Sequence, residues 1–153
     1  MTIRPMEEKD ICGIARIERE IFSTPWSEKA FFEALEAEYA LFFAAEEDGQ
    51  IAGYIGIYLA ADEGEITNVA VAENFRRRHI GEQLVHAAVS EAGKRGAVSI
   101  FLEVRYSNLP AIALYEKMGF SICGTRKGFY EKPKEDAYVM VFAPDISTFQ
   151  TGR

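Results

Sequence analysis

Ile66-Thr67-Asn68-Val69-Ala70-Val71 and, after four intervening residues, Arg76-Arg77-Arg78-His79-Ile80-Gly81 make up the stretch that decides the fold. The first run is rich in β-branched residues and reads as part of a strand over Glu65 to Ala72. The second is a basic loop with a glycine. It leads into Ile80 to about Lys94, where Ile80, Leu84, Ala87 and Ala88 fall on one side of an amphipathic helix. Val98 to Val104 follows, apolar on both faces as a central buried strand would be. A strand that passes through a loop into a helix and returns as a strand places the middle of the chain in the α/β class. The same passage is a ready anion site. A helix start offers unpaired backbone N–H groups and the positive end of its dipole, so a pyrophosphate fits there. Alone the loop is weak evidence, because three consecutive arginines more often mark a solvated turn.

The flanking segments extend this pattern. Thr2 to Arg4 reads as a first strand. Asp10 is placed to cap a helix running to about Phe22, with Ile11, Ile14, Ile17 and Ile21 near the helical period. Ser27 is placed to cap a short helix carrying Phe31, Phe32 and Leu35. Ala40 to Glu46 and Gln50 to Ala60 read as paired strands around an Asp48-Gly49 turn. Pro110, favoured at a first helical position, opens a short helix that ends before Gly119. Phe120 to Tyr130 and Ala137 to Phe142 complete the sheet. The order predicts a mixed sheet with helices on both faces, in one domain over residues 1–146 with a frayed tail at 147–153.

At 153 residues the chain suits one domain with a real core. It holds no run of eighteen apolar residues and begins without an apolar signal core, so no membrane partner is expected. Two cysteines, Cys12 and Cys123, cannot make a disulfide framework and read as reduced thiols, with Cys12 filling its helix. His79 and His86 stand seven apart with no cysteine or carboxylate cluster, so no metal site is expected, and His86 reads as surface. Cys123 has no linked base that would make it an acyl-carrying nucleophile. The expected compartment is the cytoplasm. A net charge of −7 argues against free nucleic acid as the partner and permits a cationic peptide, although the charge can equally serve solubility alone.

Two further features bear chemistry. Leu102-Glu103-Val104-Arg105 closes an apolar strand with a carboxylate, which is unfavourable there unless paired or useful. The plain alternative is an ion pair with Arg105, two residues on along the same face. Asn108-Leu109-Pro110-Ala111-Ile112-Ala113-Leu114-Tyr115-Glu116-Lys117-Met118-Gly119-Phe120 is the most specific passage. Together with the basic loop it resembles the GCN5-related N-acetyltransferase (GNAT) superfamily, from Ile3 to about Phe142. Pro25-Trp26-Ser27, Asn68-Val69-Ala70-Val71, Leu102 to Arg105, Arg126-Lys127-Gly128-Phe129-Tyr130 and Glu135-Asp136-Ala137 make it most similar to the ribosomal-protein-alanine N-acetyltransferase group, of the RimI type.

The resemblance implies a mixed, mostly antiparallel sheet and an enzyme that uses acetyl-CoA. It implies that Val69, Ala70 and Val71 present backbone groups to the acetyl and pantetheine part. Arg76, Arg77, Arg78, His79, Ile80 and Gly81 would hold the pyrophosphate, and Asn108 the pantetheine arm. Glu103 would be the general base and Tyr115 the acid toward the departing thiolate. Trp26 and Tyr130 would border the acceptor, a protein N-terminus such as the alanine of ribosomal protein eighteen of the small subunit. Acid–base chemistry fits these roles. An α-amine titrates near 7.7–8.0, so deprotonating it at pH 7 costs about 1 kcal/mol, against about 4.6 kcal/mol for a lysine amine. A glutamate base therefore suits an N-terminus better than a lysine. The alternative for Tyr115 is a core aromatic. Two positions depart from the group: His79 stands where a loop glycine is usual, and Phe129 replaces a tyrosine. Other acceptors, and an acyl-CoA-binding module without turnover, remain as rival functions; retention of both Glu103 and Tyr115 disfavours the module.

Overall fold

A computed structural model describes residues 1–143. The expectation of a frayed tail at 147–153 lies outside the described residues. The strands are β1 (Thr2–Pro5), β2 (Ala40–Glu47), β3 (Gln50–Ala60), β4 (Glu63–Val71), β5 (Ser99–Arg105), β6 (Ser121–Glu131) and β7 (Lys134–Phe142). The helices are α1 (Ile11–Ile21), α2 (Glu28–Glu36), α3 (Ile80–Lys94) and α4 (Leu109–Lys117). One sheet holds all seven strands in the order β1-β2-β3-β4-β5-β7-β6, and only β4 and β5 run parallel.

Local chemistry explains most element ends. Asp48 and Gly49 both take positive φ (52° and 75°), the geometry a two-residue hairpin between twisted strands needs. Ser27 Oγ accepts from Ala30 N–H at 3.1 Å and starts α2. Asn108 Oδ1 accepts from Ala111 N–H at 3.3 Å and starts α4, which Gly119 closes at φ 103°. Asp10 does not cap α1 as expected. Its carboxylate accepts from Glu7 N–H at 2.8 Å, which caps the preceding 3-10 turn (Glu8–Asp10), and it binds Arg4 at 2.7 and 2.9 Å. The half-buried guanidinium partner outcompetes the helix start for the same oxygens.

Two apolar layers sandwich the sheet. On one side Ile80, Leu84, Val85 and Ala88 of α3 and Ile112 and Tyr115 of α4 pack on Ile55, Ile57, Ile66, Ile100, Leu102 and Val104. On the other, Ile11, Ile14 and Ile17 of α1 and Phe31 of α2 pack on Phe42, Ala44, Tyr54 and Ala70. Val85 takes the buried place expected of Ala87, which is half-buried. Cys12 is exposed on α1 instead of filling it, and His86 is at the surface.

A bulge in β4 shapes everything that follows. Gly56 faces Asn68 while the next residue, Ile57, faces Ile66, so Thr67 is extra. The insertion flips the strand's faces. Before it, Ile66 points to the α3 layer; after it, Val69 and Val71 do, while Ala70 joins the α1 layer. β4 and β5 then pair at only three positions, Glu63 to Glu65 against Ser99 to Phe101. Beyond them each keeps its outer neighbour and loses the other, leaving a wedge-shaped slot through the sheet. This corrects the expectation that β5 is buried on both faces. Its burial alternates: Ile100, Leu102 and Val104 are buried, whereas Phe101, Glu103 and Arg105 are only half-buried. The slot and the face toward α1 and α2 leave those residues partly uncovered.

Candidate active site

On the α3 side of the slot, β4 leads through a tight loop into α3. Arg77 and His79 both adopt left-handed backbone, at φ 66° and 61°. His79 thus takes the conformation that a glycine would supply. Its side chain is 75% exposed, with Nδ1 3.3 Å from Glu82 Oε2, so the ring lies over the helix start and solvent. No side chain caps α3 at His79. The first N–H groups of the helix are therefore free for an anion. Val71, Arg76, Arg77, His79, Ile80 and Gly81 share one groove of about 350 Å³ with Pro110, Leu114 and Lys117 of α4. Arg78 turns away from it, bonding Glu47 Oε2 at 2.7 Å with its guanidinium 5.4 Å from the Phe75 ring centre. Arg76 Nε donates to Val71 O at 3.2 Å. Val69 and Ala70 do not line this groove, but their backbone lies on the slot edge of β4, past its last pairing with β5. Asn108 sits at the start of α4, its oxygen engaged as the cap.

Tyr115 belongs to the α3 side too. Its ring packs in the core 5.8 Å from Phe120, and burial, with Tyr130 nearby, pushes its hydroxyl well above the usual phenol range. Its hydroxyl makes no hydrogen bond among the described residues.

Glu103 lies on the opposite face, toward α1 and α2, since its neighbours Leu102 and Val104 face α3. The ion pair with Arg105 is not formed. Arg105 instead binds Glu135 at 3.2 Å and the Lys132 and Pro133 carbonyls, and stacks 4.2 Å from the Tyr130 ring centre. Glu103 has Arg126 at 3.6 Å. Burial raises its carboxyl above the ordinary value, Glu65 adds to the rise, and Arg126 opposes it. Glu65 shares that face: it is registered beside Phe101 on β5 and Tyr58 on β3. Tyr130 is raised by burial and by the charge of Glu103. Trp26 borders the same face, its ring 6.3 Å from Tyr58 and 5.2 Å from Phe31. Phe129 is 43% exposed beside Tyr130, where β6 bulges at Arg126 to Tyr130.

Sequence reasoning missed several of these residues. Glu65 leaves no signal, and Arg126 stands in a recognised motif without a role of its own, because only folding brings the two to Glu103. Phe75, Glu82 and Lys117 at the groove are ordinary neighbours of recognised motifs. Glu18 did leave one: it falls on the apolar stripe of α1, four residues after Ile14.

The slot thus separates a basic helix start from a half-buried carboxylate. The family model for the Acetyltransferase (GNAT) family matches residues 11–120, and the chain belongs to that family. The [ribosomal protein bS18]-alanine N-acetyltransferase of Escherichia coli K12 is 35% identical over 141 residues, covering 91% of this chain and 95% of its own length. A Bacillus subtilis chain, assigned the same activity provisionally, is 40% identical over 139 residues, 90% and 92% of the two chains. The crystal structure of the Escherichia coli ribosomal-protein-S18-alanine N-acetyltransferase superposes with a TM-score of 0.85 at 34% identity, covering 93% and 92%. The family uses acetyl-CoA, and the residues around the slot suit it: an uncapped helix start and two arginines for phosphates, and a free strand edge for an amide-bearing arm. No helix among the described residues is long and apolar enough to cross a membrane.

Proposed function

We propose that this chain moves the acetyl group of acetyl-CoA directly onto the α-amine of a protein N-terminus, the terminal alanine of ribosomal protein S18, in the cytoplasm. The observation that carries the reading is the slot itself, with the anion-binding loop and Tyr115 on one face and Glu103, Trp26 and Tyr130 on the other. The activities of the relatives support the choice of acceptor.

In this reading Arg76, Arg77 and the first N–H groups of α3 hold the pyrophosphate. The other loop residue, Arg78, braces the loop against Glu47. The free edge at Val69, Ala70 and Val71 bonds the pantetheine arm, with Asn108 at its far side. The acceptor enters between Trp26 and Tyr130. Its amine loses a proton toward Glu103, directly or through a water, and the nitrogen attacks the thioester carbonyl. The carbon–sulfur bond then breaks and the thiolate leaves. The raised Glu103 carboxyl is a stronger base than an ordinary glutamate, which favours that proton transfer. Burial makes Tyr115 a poorer proton donor, so its contribution is a hydrogen bond to the developing thiolate.

The test supplies labelled acetyl-CoA with peptides beginning with alanine from S18, peptides with other N-termini, internal-lysine peptides and polyamines. Mass analysis of the products should find acetylation at the α-nitrogen of the alanine peptide. Preferred labelling of lysine or a polyamine, or none at all, overturns the proposal.

A further inference from the structure

Behind the acceptor face lies a carboxylate that none of the roles above uses. Glu18 is 2% exposed. Its Oε1 accepts from the Tyr54 hydroxyl and from Asn68 Nδ2 at 3.4 Å, and its Oε2 accepts from Trp26 N–H at 3.0 Å. No cation pairs with it among the described residues. An ionised group here is unfavourable, and a well-packed aliphatic side chain would hold α1 to the sheet better. An aliphatic side chain could not, however, bind three donors from three separate elements. Tyr54 comes from β3, Trp26 from the corner between α1 and α2, and Asn68 from β4, one residue past the bulge and one before Val69. Asn68 is itself 6% exposed, and its Oδ1 has no partner among the described residues, so Glu18 is what anchors its side chain.

We propose that Glu18 is a positioning residue for the transfer. Resting on the acetyl-transfer reading, it fixes the acceptor wall at Trp26 relative to the cosubstrate edge that begins at Val69. Amine and thioester then meet at a set spacing. It touches neither.

Trp26 is the only tryptophan, so its emission reports the corner without any turnover. Glu18→Gln keeps the shape but puts a donor where one of the two accepting oxygens was. In folded variant, acrylamide should quench Trp26 more readily than in the parent. The value of kcat/KM for the acceptor peptide should fall on the order of tenfold or more, as small misplacements of reactants do. Calorimetric affinity for CoA should fall by less than kcat/KM does, because the pyrophosphate groove at α3 does not touch Glu18 and only the edge beside Asn68 is disturbed. Tyr54→Phe, which removes one donor and keeps the ring, should move both readouts the same way by less, and it decides the matter if Glu18→Gln does not fold. A merely structural role would lower the melting temperature and weaken both ligands alike, leaving the quenching unchanged. That pattern, or unchanged quenching and kcat/KM, overturns the proposal. A parent protein inactive toward every amine instead overturns the acetyl-transfer reading, and quenching alone then decides whether Glu18 holds the corner.

Discussion

Glu103 sits between a like charge and an opposite one, and that pair tunes it. Glu65 raises its carboxyl and Arg126 lowers it, on top of the rise from burial. Glu65→Gln should therefore lower the Glu103 titration and Arg126→Met should raise it. Carboxyl-carbon NMR is the suitable measurement, since the acceptor amine titrates in the same rate profile. Shifts of the opposite sign would mean the two groups act elsewhere. Glu103→Gln should keep CoA binding and lower turnover by roughly 10²–10⁴-fold, the usual contribution of a general base. His79 bears a different burden. It holds a left-handed backbone, a conformation a side chain rarely adopts, while its ring lies over the helix start and solvent. His79→Gly should stabilise the fold by about 1 kcal/mol, from the left-handed penalty less the glycine entropy. CoA affinity should change little. Thermal unfolding and calorimetry together check this, and a large gain in affinity with no gain in stability would place the strain in the bound state only. At this scale the sequence motifs were informative about what stands in the groove. They were silent about the effect of Glu65 and Arg126 on Glu103, which depends on register across strands far apart in the chain.

Among the elements, α1 shows how a helix can be legible while its start is not. The isoleucine period marks the buried face, and Ile11, Ile14 and Ile17 are indeed in the core. The capping role expected of Asp10 fails because Arg4, from β1, claims the carboxylate. No local rule reports a partner brought by another strand. Burial alone would raise Asp10, but the hydrogen bonds from Arg4 and from Glu7 N–H outweigh it and hold the carboxyl below its ordinary 3.8. A lowered folded value means stability that is complete above the unfolded value and lost as pH falls through the folded one. Asp10→Asn should thus destabilise by about 2 kcal/mol at neutral pH, the scale of hydrogen bonds to a charged group. Urea unfolding at a series of pH values should show the gap to the parent closing below 3.8. A gap that stays constant into acid would remove the charge from the account. β5 repeats the lesson. Its composition reads as buried on both faces, and the bulge at Thr67 that opens one of them has no signature in the residues around it.

For the whole molecule, the class of fold and the order of its elements were readable because strand and helix periods alternate cleanly. The separation of β4 from β5 was not, since it depends on where pairing stops. That separation leaves two rows of backbone groups in mid-sheet with no strand neighbour among the described residues. In the free protein the amides along 68–71 and 102–105 that face the slot should exchange with deuterium faster than those facing β3 and β7. CoA should slow the β4 set, and equal protection with and without it would mean that the arm does not bond that edge.

Unlike the outer strands, these inner edges are hidden only by being narrow. A bare strand edge is a template for another chain, the usual starting point of association between sheets. Any loosening of the three paired positions that close the wedge would present both rows at once. Under the proposed function, a bound nucleotide cosubstrate would also serve as a plug that keeps the protein from templating on itself. Light scattering on mild warming should rise sooner without CoA than with it, and by more than the shift in melting temperature accounts for.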